Sequence, residues 1–227
     1  MARTRSLHFD DLREQIFKAA AALFAARGYT ATTMNGVAGA CGVSKATLYH
    51  YVRDKQDLLV QISVAHVARL EAIVDEVAAM RLTPEPHLRA LIERFTAAYA
   101  CAQNEHRVLT EDVRFLLPAD RDQVLAGQRR VVAAFAQATT NVRPELAASQ
   151  LDKPLAMLLF GMINWTFTWL RPEGVLNHAS LAPIVSELFL AGLQAVPVPP
   201  RPGLRPGARP SVRAAMQRPA AACAVKA

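Results

Sequence analysis

Residues 33–55 read TMNGVAGACGVSKATLYHYVRDK, and the rest of the chain is organised around them. The spacing predicts two short helices separated by a tight turn. Thr33 can cap the first, its hydroxyl accepting a bond from a free N–H of the opening turn. Met34, Val37, Ala38 and Cys41 follow at helical spacing, and Gly42 falls where the helix must stop and a positive φ is needed. Ser44 is the next cap, and Lys45 to Val52 form a second helix of about two turns. Leu48 and Val52 share its inner face, with Val43 as a staple-like contact ahead of the cap. Lys45, Ala46, Thr47, Tyr49, His50 and Tyr51 are left facing outward, a polar, aromatic and cationic set without a carboxylate. A short helix braced from behind and presenting such a face suits the major groove of DNA, which admits one helix.

Around this stretch the residue types agree with a known pattern at fixed spacing. GVSKATLYHYVRDKQDLL resembles the helix-turn-helix signature of the TetR family of bacterial transcriptional repressors. EQIFKAAAALFAARGYTATTM resembles that family's first helix and the lead-in to its second. The resemblance covers about residues 10–60. Two departures stand out: Gly36 and Gly39 lie inside the second helix, where Gly costs about 1 kcal/mol relative to Ala, and Val52 stands where many members carry an aromatic residue. Neither removes a group that faces outward.

The charge distribution agrees with a DNA-binding N-terminus. The chain of 227 residues carries a formal net charge of +7. Residues 1–55 hold eight Lys/Arg and four acids, 56–196 hold twelve and fifteen, and 197–227 hold six and none. The middle segment has no electrostatic case for DNA, whereas the first does. Much of the overall basicity comes from the tail.

Elsewhere the pattern is all-helical. Asp10 to Arg27 reads as an amphipathic helix with Ile16, Ala19, Ala20, Leu23 and Phe24 on one stripe, ended by Gly28. Residues 1–9 read as a basic lead, in which Arg3 and Arg5 can reach phosphate or simply fray. Lys55 to about Arg81 is a long helix with inward positions at 59, 62, 66, 70, 73, 77 and 80, as a helix crossing between two domains requires. Thr83-Pro84-Glu85-Pro86 interrupts it. Further helices are expected over about 87–102, 105–117, 119–140, 154–170 and 181–195, nine in all. Residues 197–227, rich in Pro, Gly, Ala and Arg, read as a disordered basic tail. The domains are therefore 1–55 for DNA binding, 56–196 for effector binding and dimerisation, and 197–227 for the tail.

Two other classes compete. Residues 154–170, PLAMLLFGMINWTFTWL, are apolar nearly all round and touch the lower length limit for a membrane span. The run is solitary and contains Asn164, Thr166 and Thr168, which favours enclosure by protein and no membrane partner. An enzyme requires a nucleophile with its base, a metal cluster or a phosphate-cradling loop. The six histidines show no ligand spacing, no Gly-rich phosphate motif occurs, and no cofactor is implied. Cys41, Cys101 and Cys223 make neither a disulfide framework nor a metal set, in keeping with a reducing cytoplasm.

The candidate groove contacts are Lys45, Ala46, Thr47, Tyr49, His50 and Tyr51, with Thr33, Ser44 and Lys55 for phosphates. The resemblance implies a homodimer joined through its last two helices as a four-helix bundle, bound to a palindromic double-stranded operator. It also implies a small effector held among the helices from about 86 to 170. Polar groups for that cavity are His106, Arg107, Arg114, Asn164 and Thr168, and its walls are Phe95, Tyr99, Phe115, Trp165 and Trp169. Each of these has a plainer reading: aromatic residues at helical spacing are more often core, and arginines are usually on the surface. GMINWTFTWLRPEG resembles regulators of fatty-acid, sterol and aromatic-acid breakdown within the family, several of which answer to acyl-CoA thioesters. Such an effector needs an apolar channel plus cations for its phosphates, for which Arg107, Arg114, Arg129, Arg130 and Arg171 are candidates.

Overall fold

The computed structural model describes residues 2–171 and 174–198, with side chains from Phe9 onward. The expected tail lies outside the described residues but for its first two positions, as do the side chains of Arg3 and Arg5. The described residues are all-helical, with eleven α-helical segments: α1 Ala2–Arg27, α2 Met34–Ala40, α3 Lys45–Tyr49, α4 Lys55–Ala79, α5 Pro84–Cys101, α6 Gln103–Glu111, α7 Pro118–Val142, α8 Glu145–Ala148, α9 Asp152–Asn164, α10 Thr166–Trp169 and α11 His178–Ala195. A 3₁₀ turn, Val113–Phe115, links α6 to α7.

The departures from expectation have local causes. The first helix starts at Ala2, so the basic lead is its opening turns. α5 begins at Pro84, before the expected 87, because both prolines fall in its first turn, where a missing N–H costs nothing. The expected helix 105–117 stops at Glu111 and tightens into the 3₁₀ turn. The apolar run 154–170 is broken at Trp165 into α9 and α10. There the Thr166 and Thr168 hydroxyls donate to the carbonyls of Ile163 and Trp165, three residues back, and compete with the helical ladder. α3 is one turn shorter than expected, its last residues forming a turn through His50 and Tyr51.

Ile16, Ala20 and Phe24 of α1, Val37 and Ala38 of α2, and Leu48 of α3 join Leu58 and Leu59 of α4 in one continuous core. That core runs along α4 into the body, where Leu88, Leu91, Ile92 and Phe95 meet Phe135 and Phe160. α4 thus belongs to both halves. α7 packs closely on it at Gly127, where any side chain would collide with Val67. No described helix is long and apolar enough to cross a membrane.

Candidate DNA-binding face and effector chamber

The two short helices are each fixed at the N-terminus by a side chain. Thr33 Oγ1 accepts from Gly36 N at 3.1 Å, and Ser44 Oγ accepts from Thr47 N at 3.0 Å. The chain turns between them through Gly42 at φ +65°, a conformation glycine adopts without strain. Leu48 is fully buried and Val52 nearly so, which turns Lys45, Ala46, Tyr49 and His50 to solvent. The Lys45 ammonium stands 5.9 Å from the Tyr49 ring centroid, so cation and aromatic form one projecting unit.

Three expected contacts sit differently. Thr47 is half-buried, its hydroxyl 2.8 Å from that of Ser44 in the cap. Tyr51 is half-buried and stacks on Phe9 at 4.4 Å, so it braces the end of the recognition segment against α1. Lys55 is committed to the interior of the head. Its Nζ donates to the carbonyls of Tyr29, Thr30 and Thr32 at 3.0, 3.1 and 2.9 Å and lies over the Tyr29 ring. An ammonium with three carbonyl acceptors has no donor left for a phosphate.

Head and body meet at Tyr29. Its ring stacks on Phe115 at 5.3 Å, and its hydroxyl donates to Gln56, whose amide donates to the Phe115 carbonyl. Phe115 is therefore part of this joint, and the break after α6 is what lets it reach. Burial pushes the Tyr29 phenol upward, with the nearby Asp54 and Asp112 charges adding to the effect.

In the body, a chamber of about 180 Å³ lies between α4, α5, α6, α7 and α9. Of the expected lining residues, Tyr99, His106 and Asn164 are there. Tyr99 stacks on His106 at 3.7 Å, and His106 Nδ1 is 3.4 Å from Nε2 of His66. His106 Nε2 and Asn164 Oδ1 are buried without a hydrogen-bond partner. Burial pulls both histidines down, His66 to about 3 and His106 to about 4, with the charge of His106 adding to the shift of His66 and the Asn164 backbone carbonyl opposing that of His106. Both are neutral at physiological pH.

The other expected lining residues lie elsewhere. Phe95 is core, behind the chamber, edge-on to Phe135. Arg107 pairs with Glu111 and lies over Phe167, and Arg114 covers Phe115. Trp165, Thr168 and Trp169 are exposed on the outside of the body, where the break after α9 turns them. Sequence reasoning misses His66, Thr110, Gln128 and Met157 as lining residues. The one available signal is a histidine within the apolar stripe of α4.

Two body helices carry exposed apolar side chains. α9 exposes Met157 and Leu158, and α11 exposes Ile184 and Leu188. Gly161 and Gly192, one on each helix, have open space where a side chain would stand.

Known proteins share this arrangement. Residues 16–62 match the family model described as bacterial regulatory proteins, tetR family, and residues 81–193 match the tetracyclin repressor-like C-terminal domain. A TetR-family transcriptional regulator of solved structure from Bordetella parapertussis is 33% identical, with a TM-score of 0.76 over 82% of this chain and 97% of that one. The chain belongs to the TetR family: it is a transcriptional regulator with a DNA-binding head and a ligand-binding body. The HTH-type transcriptional repressor KstR2 of Rhodococcus jostii is 25% identical over 186 residues, 80% of this chain and 90% of that protein. AibR, solved in complex with isovaleryl coenzyme A and operator DNA, is 25% identical with a TM-score of 0.67, over 79% of this chain and 98% of that one.

Proposed function

We propose that this protein is a repressor that binds a palindromic operator as a homodimer and is released by an acyl-CoA thioester. The observation that carries the DNA-binding half is α3, five residues long, capped by Ser44, anchored by Leu48 and projecting Lys45, Ala46, Tyr49 and His50. These side chains are the groove contacts, while Thr33 and Ser44 at the two helix starts meet phosphates. Thr33 accepts its backbone bond and keeps its proton to donate outward, and Ser44 does the same when Thr47 is the donor in the bond between their hydroxyls.

The exposed apolar side chains of α9 and α11 support dimerisation, and Gly161 and Gly192 leave room beside them for a partner helix. A dimer sets two α3 helices at a defined distance, and an effector that favours another spacing lowers operator affinity. The chamber supports a thioester over a free acid. His66, His106 and Tyr99 supply no positive charge, and an unpaired carboxylate in such a site is costly. The likeness to the repressor KstR2 favours repression, and the likeness to the AibR complex favours an acyl-CoA effector.

The test is operator binding by fluorescence anisotropy at fixed salt. Tyr49→Ala and Lys45→Ala weaken binding at least tenfold without lowering the melting temperature, and isovaleryl-CoA releases the wild-type protein where free CoA does not. Wild-type operator affinity in both variants rejects the assignment of α3.

A further inference from the structure

The chamber has two ends of different character. Its deep end is apolar, walled by Val67, Leu70, Val131 and Phe160. At the other end Leu109, Thr110, Gln128 and Asn164 also line a second, wider cleft of about 840 Å³. That cleft lies where Gly28 at the end of α1 faces α6 and α7, and it carries Arg114 and Arg121. Neither arginine has a carboxylate within ion-pair distance among the described residues, whereas Arg130 is paired with Glu71 and Arg107 with Glu111. The acids on the cleft are Glu111, held by Arg107, and the buried Asp112, whose carboxyl is pushed upward by burial and by Glu111 against the opposing pull of Arg114 and Arg107, so Arg114 feels Asp112 at a distance without pairing with it.

We infer that the effector enters through this head-side cleft and is a short-chain acyl thioester, its acyl group filling the apolar end and its phosphates meeting Arg114 and Arg121. This rests on the acyl-CoA reading above and adds the route, the size limit and the polar contacts. The two orphaned atoms call for opposite partners. With His106 Nδ1 accepting from His66 Nε2–H, His106 Nε2 bears the proton; the Asn164 backbone carbonyl attracts it without closing a well-formed bond, and the thioester carbonyl oxygen supplies the acceptor. Asn164 Oδ1 needs a donor, and the first amide N–H of the thiol arm, two carbons beyond the sulfur, supplies one. A lone carboxylate or a hydrocarbon would satisfy only one of the two, or neither.

Size follows from volume. An apolar protein cavity of about 150 Å³ holds benzene, so the chamber at about 180 Å³ takes roughly six to eight non-hydrogen atoms. The chamber itself therefore accommodates a branched five-carbon or a small aryl acyl group, whereas a long fatty chain or a fused ring system overfills it. A rival opening exists under α8, lined by Arg129 and Lys153, but it joins the chamber through Val132 and Met157 with Gln128 as its one polar group, and it lacks Thr110 and Asn164.

Thermal shift and calorimetric titration of the full chain with isovaleryl-, phenylacetyl- and palmitoyl-CoA and free CoA test the inference. The short thioesters bind at least tenfold more tightly than palmitoyl-CoA. Arg114→Ala with Arg121→Ala weakens isovaleryl-CoA at least tenfold, and Arg129→Ala with Lys153→Ala changes it less than twofold. His106→Phe loses thioester affinity, while His106→Gln, which keeps a donor, retains part of it. Equal or tighter palmitoyl-CoA binding overturns the size limit. Loss in the Arg129/Lys153 variant with none in the Arg114/Arg121 variant overturns the route alone. Absence of binding by every thioester overturns both this inference and the acyl-CoA reading on which it rests.

Discussion

The head and the body of this protein are stabilised by different means. In the head, α2 and α3 have seven and five residues, too few to hold as isolated helices. Each is closed by a side-chain cap, as is α4 where it enters the head, with Asp54 accepting from Asp57 N at 2.8 Å. In the body, α5, α6, α7, α8 and α9 have no side-chain cap bond at all. Among body helices, α11 alone is capped, by the reciprocal Asn177–Ser180 pair. The long body helices are held by their buried faces and tolerate open ends, and the one-turn α8 and α10 do so as well, anchored by the buried Leu146 and Thr166, whereas α2 and α3 close theirs with side chains. The head is thereby fixed by local chemistry into a shape that must match DNA. The body, fixed by contacts remote in sequence, has ends and joints that a ligand can shift.

The largest expected effect tests the body's dependence on interior packing. Phe95→Ala removes a fully buried ring wedged against Phe135 and Phe160 and is expected to cost about 3–5 kcal/mol, read by chemical denaturation. A loss under about 1 kcal/mol would show that the body's order does not rest on that cluster. Next comes the head. Lys55→Met strands three carbonyls and is expected to cost about 1–3 kcal/mol. It should leave the slope of log affinity against log salt unchanged. A slope reduced by about one would return Lys55 to the phosphate contacts.

The buried histidines sharpen the comparison through pH. His66 and His106 have native pKa values of about 3 and about 4 against an ordinary 6.5. Below pH 6.5 the unfolded chain takes up protons that the native body refuses, so their stabilisation is complete above pH 6.5 and declines as pH falls toward 4. At pH 5 the loss is on the order of 1–2 kcal/mol per ring. Melting temperature should therefore fall between about pH 7.5 and pH 5, and less so in a His66→Gln, His106→Gln variant. An equal fall in both proteins would assign the effect to other groups.

The smallest effect concerns the surface. Arg89 pairs with Glu187 at 2.7 Å and Glu85 at 3.5 Å, joining α5 to α11. Arg89→Ala should cost less than about 1 kcal/mol, because exposed ion pairs contribute little. A larger loss would place part of the body's stability on its surface.

Much of the head is legible in the amino-acid order itself. Thr33, Ser44, Gly28 and Gly42 act through neighbours a few residues away, so their roles are written in local spacing. Leu48 and Val52 follow from helical period. Lys55 reads as a phosphate ligand by position, because its true acceptors are more than twenty residues upstream and nothing local announces them. In the body, periodicity identifies Phe95 and Tyr99 as inward but not which of them faces empty space. Trp165 and Trp169 point to the cavity only if the apolar run is one straight helix. The threonine bonds that break it turn both rings outward.

Sequence alone determined that the head and body of this chain are helical, where its short N-terminal helices begin, and which side of α3 is anchored by Leu48. Those depend on caps, glycines and a 3.6-residue period, all short-range. Only the tertiary structure decided that His66 meets His106, that Phe115 rests on Tyr29, and that Asn164 and Gln128 of the chamber also line a cleft carrying Arg114 and Arg121. A period names the face of a helix that is covered, but what covers it depends on how distant segments cross.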